Sequence, residues 1–200
     1  MSHVAKYAIQ LKNANMYITK NTAELMIKKF GCVAIHQFTD LFGNLHRVQG
    51  VGIRYKGLSI DIQIENGELK FVCDKFQKED VFNEFVPIFK QNYQALAAAQ
   101  ALKELGYSVT MHEEKGKIKI PALKEGSGGE SITIIADSDG TLSTGFGGFK
   151  DKKCFEEADK LAQKLKYLGV EIKVEDIKVT QEGTETEPVE VNNELHNSNI

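Results

Sequence analysis

Residues 60–73 read Ile60-Asp61-Ile62-Gln63-Ile64-Glu65-Asn66-Gly67-Glu68-Leu69-Lys70-Phe71-Val72-Cys73. Apolar side chains at 60, 62 and 64 alternate with polar ones, Asn66-Gly67 interrupts, and Leu69, Phe71 and Cys73 resume the alternation. A period of two puts every apolar side chain on one face of a strand. Asn-Gly between such runs is the strongest short hairpin signal, because both residues of the turn need positive φ. The stretch predicts an antiparallel hairpin with one face wet and one packed.

Working upstream, His3 to Lys12 is strand-like, with Val4, Tyr7, Ile9 and Leu11 as its apolar positions. Asn21 or Thr22 is placed to cap a short helix carrying Leu25, Met26, Ile27 and Phe30, which Gly31 ends. Val33-Ala34-Ile35 suits a strand, and Asp40 to Asn44 a turn. Downstream, the period becomes helical from about Asp80 to Leu105. Phe82, Phe85, Phe89, Tyr93 and Leu96 form one stripe, and five alanines between 95 and 101 favour the helix. Pro87 predicts a kink or a broken first turn. A second hairpin follows across Glu114 to Gly116.

Lys124-Glu125-Gly126-Ser127-Gly128-Gly129 is small and lacks apolar anchors, so it reads as a linker. Beyond it come a strand (Ile132, Ile134, Ala136), a turn (Ser138-Asp139-Gly140), a return strand (Leu142 to Phe146) and a helix from Cys154 to Leu168. That helix carries Phe155, Ala158, Leu161, Leu165 and Leu168 as its stripe. Val170 to Val179 alternates as a last strand. The expected fold is therefore α+β: two small domains, 1–122 and 131–179, each an antiparallel sheet packed against one main helix. A Gly/Ser linker spans 123–130, and a disordered acidic tail spans 180–200.

At 200 residues, with 42% hydrophobic and 26% charged side chains and mean hydropathy of -0.30, the chain is expected to be soluble and globular. No apolar run approaches the roughly 18 residues of a membrane span. Residues 1–122 carry sixteen basic and twelve acidic side chains, a balance of +4, while 180–200 hold five glutamates and no basic residue. Only two of the 25 basic residues are arginines, Arg47 and Arg54. So mild a basic excess disfavours nucleic acid as a partner, since phosphate neutralisation supplies most of that affinity. Three scattered cysteines without a Cys-x-x-Cys pair support neither a disulfide framework nor structural zinc. With no signal-peptide pattern at the start, the expectation is a cytoplasmic protein in a reducing environment.

The chemistry-bearing motifs each have a plainer account. Asp137-Ser138-Asp139-Gly140 opens like a calcium loop, but the sixth and twelfth positions are Leu142 and Gly148, so a hairpin turn explains it. Gly145-Phe146-Gly147-Gly148-Phe149-Lys150 matches neither the P-loop nor the dinucleotide fingerprint. Cys154 lies at a helix start beside Lys152 and Lys153, a setting that lowers a thiol pKa, but no histidine nearby supplies a base. The five histidines show no helical ligand spacing. No nucleophile, base and oxyanion site assemble, so the reading is non-enzymatic, with no metal and no cofactor.

The start Met1-Ser2-His3, the hairpin Ile60-Asp61-Ile62 … Asn66-Gly67 … Phe71-Val72-Cys73-Asp74 and the block Gln91-Asn92-Tyr93 … Leu105-Gly106-Tyr107-Ser108-Val109 occur in one order. Residues 1–122 thereby resemble the uncharacterised plastid and cyanobacterial conserved open-reading-frame family. Residues 131–169 resemble a second small uncharacterised family through Asp139-Gly140, Gly148, Cys154 and Leu168-Gly169; Asp151 stands where that family usually has glycine. The two families are commonly encoded beside an AAA+ ATPase. The resemblance implies a fused adaptor for that ATPase, and His3, Asp61, Tyr93 and Cys154 are its candidate binding residues. The alternative is a small-ligand or nucleic-acid-binding module using the mildly basic first domain.

Overall fold

The computed structural model describes residues 5–9, 11–74, 76, 78–150, 152–171 and 189–191; residues 5–9 and 189–191 are described by backbone pairing alone. The fold is α+β, with antiparallel pairing throughout and helix and strand in nearly equal shares, 35% and 34%. The chain divides into two compact units, Met1–Tyr93 and Gln94–Ile200.

The first unit holds β1 (Ala5–Ile9), α1 (Met16–Phe30), β2 (Val33–Ala34), β3 (Gln37–Thr39), β4 (Leu45–Arg47), β5 (Val51–Tyr55), β6 (Leu58–Glu65) and β7 (Glu68–Cys73), then the first half of α2 (Glu79–Glu104). Its five-stranded sheet has the order β1-β7-β6-β5-β2. The hairpin expected at 60–73 is β6–β7, in the register Ile60↔Cys73, Ile62↔Phe71 and Ile64↔Leu69. Its turn has φ of 53° at Asn66 and 80° at Gly67, the primed geometry that the dipeptide selects. Phe71 is the centre of the core: its ring meets Phe82, Phe85 and Phe89 edge-on at 6.2, 5.7 and 5.5 Å between centroids. Phe71, Phe85 and Phe89 are fully buried, each contributing on the order of 2–3 kcal/mol through removal from water.

Two local expectations are corrected here. The helix capped at Asn21 or Thr22 begins a turn and a half earlier. Asn15 is the cap, its Oδ1 accepting from Tyr17 N and Ile18 N, and Thr22 Oγ1 instead donates to the Ile18 carbonyl inside α1. A second threonine, Thr19, is also buried and donates to Asn15 O, so two polar side chains are satisfied mid-helix and hide the true start. Pro87 does not break α2, which runs from Glu79 to Glu104. Pro87 and Asn83 are exposed, so the carbonyl that loses its partner faces water.

The second unit takes the rest of α2, then β8 (Tyr107–Val109), β9 (His112–Glu114), β10 (Lys117–Lys124), β11 (Ser131–Ala136), β12 (Leu142–Gly147), α3 (Lys153–Tyr167) and β13 (Val189–Val191). Its sheet order is β13-β12-β11-β10-β8, with β9 also on β10. This overturns the domain boundary and the linker. Residues 107–122 share a sheet with 131–147, and β10 pairs with β11 from Ile118↔Ala136 to Leu123↔Ser131. The stretch 123–130 is a hairpin connection: Lys124 N donates to Glu130 O, Ser127 Oγ to Lys124 O, and Glu130 N to Ser127 Oγ. Gly126, Gly128 and Gly129 all have positive φ, so glycines chosen for a tight reversal have the composition of a flexible spacer. The division falls within α2, so the first unit holds α1 and the start of α2, and the second holds the end of α2 and α3.

Along α3 the buried side chains are Cys154, Glu157, Ala158, Leu161 and Leu165, while Phe155, expected on the stripe, is 39% exposed. A carboxylate takes the place an apolar residue was expected to fill. Of the last expected strand, 172–179 lie outside the described residues. So does the expected disordered tail, apart from Val189–Val191, which pair with Leu142–Thr144.

Candidate functional site

The strands β2–β3 and β4–β5 form one bent two-stranded arm. Val33↔Arg54 and Ala34↔Ile53 pair at its base, Ile35 N donates to Gly52 O, Val48 N to His36 O, and Gln37↔Arg47 to Thr39↔Leu45 pair beyond. Between Val48 and Gly52 the chain carries three extra residues, 49–51. Asp61 holds that bulge from β6. Its Oδ2 accepts from Gln49 N (2.9 Å) and Gln63 Nε2 (2.6 Å), and its Oδ1 from Gly50 N (2.9 Å). A Cβ on Gly50 would stand 2.0 Å from the Ile62 carbonyl oxygen, so only glycine lets the bulge lie this close to the sheet.

The tip of the arm is built around Asp40, whose side chain is fully buried. Its Oδ1 accepts from Phe42 N (3.0 Å) and Asn44 N (2.8 Å); its Oδ2 accepts from Asn44 Nδ2 (3.0 Å) and meets His46 Nε2 at 3.0 Å. Burial alone would raise this carboxyl, but His46, the Asn44 side chain and the two amides outweigh it and hold it well below the usual carboxylate range. His46 lies flat on Phe38, with centroids 5.2 Å apart at 21°. A second carboxylate, Asp74, clips the tip to the segment after β7 through Leu41 N (2.8 Å) and Phe76 N (3.1 Å). What this scaffold presents is apolar: Leu41, Phe42, Leu45 and Phe76 are 54, 55, 58 and 58% exposed.

The second unit has its own polar cluster. Glu157 is buried beneath α3, accepting from Lys160 Nζ (2.9 Å) and Tyr107 Oη (3.0 Å), with Lys124 Nζ at 3.6 Å and 5.2 Å above the Tyr107 ring. Burial pushes Glu157 up, yet Lys160, Tyr107 and Lys124 bring it below its ordinary value. Tyr107 is pushed up by burial and then by Glu157 and Glu130. Buried Glu130 pairs with Lys153 through Oε1, while its Oε2 has no hydrogen-bond partner. The lysines neutralise both carboxylates, a structural solution for buried acids.

The candidate residues from the sequence that the structure describes have separate local roles. His3 lies outside the described residues. Asp61 is the brace of the bulge. Tyr93 is fully buried on α2 and accepts from Asn15 N (2.8 Å), fastening the α1 cap; burial raises its phenol to about 12. Cys154 is the second residue of α3, 8% exposed and belonging to the other unit. Among the described residues no group of three or more His, Cys, Asp or Glu is placed to hold a metal ion, and no helix is long and apolar enough to cross a membrane. No disulfide joins Cys32, Cys73 and Cys154.

The arm tip and the Glu157 cluster were both missed. Asp40 and His46 are six apart and meet only because Thr39↔Leu45 closes the hairpin. Glu157 and Tyr107 are fifty apart. The one available signal was Leu41-Phe42 inside a turn sequence, two large apolar residues where polar ones are usual. Comparison with protein-family models, with curated proteins and with solved structures finds no match to this chain.

Proposed function

We propose that the chain is a non-enzymatic binding module that acts as an adaptor, and that its contact surface is the tip of the β3–β4 arm. The observation that carries this reading is the exposure of Leu41, Phe42 and Leu45 on a hairpin braced by the buried Asp40. Scattered surface hydrophobics need no explanation, but several on one ordered tip fit a surface that a partner covers. Order matters as much as area, because a braced tip loses little conformational freedom on docking.

The partner favoured by the resemblance at 1–122 and 131–169 is an AAA+ ATPase, and a reducing cytoplasm suits a chain whose three thiols form no disulfide. The test is a pull-down of AAA+ ATPases of the native host, with ATP present, by the full chain and by a Leu41→Ser/Phe42→Ser variant. Retention by the first and loss by the second is expected. Equal recovery by both would remove the tip from the account, and no recovery by either would remove the ATPase. Salt-dependent retention of single-stranded DNA or RNA, with no ATPase, would favour the ligand- or nucleic-acid-binding alternative.

A further inference from the structure

Along residues 25–60 the charge is one-sided: Lys28, Lys29, Arg47, Arg54 and Lys56 stand against a single acid, Asp40. Two further acids reach the arm from the sheet, Asp61 and Asp74, and their oxygens accept from the amides of Gln49, Gly50, Leu41 and Phe76. Asp40 offers nothing outward: its side chain is fully buried and its oxygens are taken by Phe42, Asn44 and His46. Lys56 is neutralised by Glu84 at 2.6 Å. The two arginines are different. Arg47 and Arg54 are exposed, and neither has a carboxylate partner among the described residues; Arg54 Nε only donates to Ser59 Oγ at 3.1 Å.

Each arginine also stands beside an exposed apolar side chain. Arg54 is the direct cross-strand partner of Val33, which is 58% exposed. Arg47 is two residues from Leu45, so strand alternation puts both on the same face of β4. Both arginines of the chain thus sit on one arm, alternating with hydrophobics. Arginine presents a planar fork of donors matched to a carboxylate, and its stem packs on apolar surface.

Resting on the reading of this arm as a contact surface, we infer that the partner offers an acidic, amphipathic peptide segment. Its carboxylates pair with Arg47 and Arg54, and its apolar side chains cover Val33, Leu41, Phe42 and Leu45. Val33 and Gln37, the cross-strand partners of Arg54 and Arg47, are four residues apart, no more than about 13 Å along the arm. An extended segment of a few residues spans both pairs. Nucleic acid would use the arginines and the ring of Phe42, but gains little from Val33, Leu41 and Leu45, which are aliphatic and offer no stacking face.

The experiment is fluorescence anisotropy on the full chain. The probe is a labelled synthetic peptide, Glu-Leu-Glu-Phe-Glu-Leu-Glu. Its comparators are the same peptide with Lys for Glu, the same with Ser for Leu and Phe, and a single-stranded oligothymidylate of about twenty nucleotides. The Glu peptide is expected to bind about tenfold or more tighter than either altered peptide at low salt, with the advantage over the Lys peptide shrinking near 0.5 M salt. Arg47→Glu/Arg54→Glu should weaken it by about tenfold, and Arg47→Gln/Arg54→Gln by less; the Gln pair keeps the test readable if charge reversal disturbs the arm. Equal binding of Glu and Lys peptides, binding of neither, or tighter binding of the oligonucleotide overturns the inference. If the arginine variants bind like wild type while Leu41→Ser/Phe42→Ser does not, the acidic partner is wrong and the tip survives. If the tip variant also binds like wild type, the contact surface itself is wrong.

Discussion

Replacing Asp61 with asparagine keeps the size and shape of the side chain and removes its charge, and the geometry says what that costs. The carboxylate accepts three hydrogen bonds, from Gln49 N, Gly50 N and Gln63 Nε2, in a residue only 2% exposed. The amide of an asparagine is a donor. In its better orientation the new NH2 faces Gly50 N, leaving that donor without an acceptor at about 1–3 kcal/mol. The two remaining bonds lose their charge assistance, at roughly 0.5–1 kcal/mol each. The expected loss is about 2–5 kcal/mol. With a urea slope of about 2 kcal/mol/M, that moves the midpoint down by about 1–2.5 M. The assay is urea unfolding followed by far-UV circular dichroism, with hydrogen exchange at Gln49 and Gly50 as the local readout. A loss under about 0.5 kcal/mol with unchanged exchange would refute the assignment of Asp61 as the brace of the arm and reopen it as a binding residue.

Other outcomes follow from the same geometry. Tyr93→Phe removes the acceptor of Asn15 N and should lower stability by about 1–2 kcal/mol, measured as a midpoint shift; no shift would mean the α1 cap does not depend on it. Leu41→Ser/Phe42→Ser should leave the midpoint within about 0.5 kcal/mol of wild type, since both side chains are exposed, and a larger loss would make the tip part of the core. Burial raises the Cys32 thiol to about 11 and the Tyr93 phenol to about 12, so the folded state holds these protons more tightly than the unfolded chain. That stability is complete below pH 9 and is lost as pH climbs towards 12; Cys32→Ala should flatten the first part of the decline in pH-dependent melting. Cys154, 8% exposed, should react with a thiol reagent near neutral pH more slowly than the same cysteine in urea, and faster reaction would restore it as a nucleophile candidate.

The parts of the fold that were legible in the sequence are those set by local chemistry. Asn66-Gly67 fixes a turn by φ alone, and the flanking alternation fixes its register, so β6–β7 was readable residue by residue. The stripe Phe82, Phe85, Phe89 and Tyr93 was readable for the same reason and is buried, while Leu96, read on the same stripe, is half-buried. Decisions made by distant partners were not readable. Gly126 to Gly129 fit a spacer or a reversal equally well until the pairing of Leu123 with Ser131 selects the reversal. Glu157 was read past because its burial depends on Tyr107 and Lys124, fifty and thirty-three positions away. Asp61 was singled out as a candidate binder, yet its role is set by a bulge eleven and twelve residues earlier, on the far side of β5. The tip of the arm, the proposed contact surface, was marked only as a turn from Asp40 to Asn44.

The central claim is that the braced, apolar tip of the first unit is where a partner docks. Its most direct test is affinity capture from the native host with the full chain and with the Leu41→Ser/Phe42→Ser variant, both first shown to unfold at the same urea concentration. The account predicts that an AAA+ ATPase is recovered with the native chain and lost with the variant. Recovery of the ATPase with both at equal yield would contradict it.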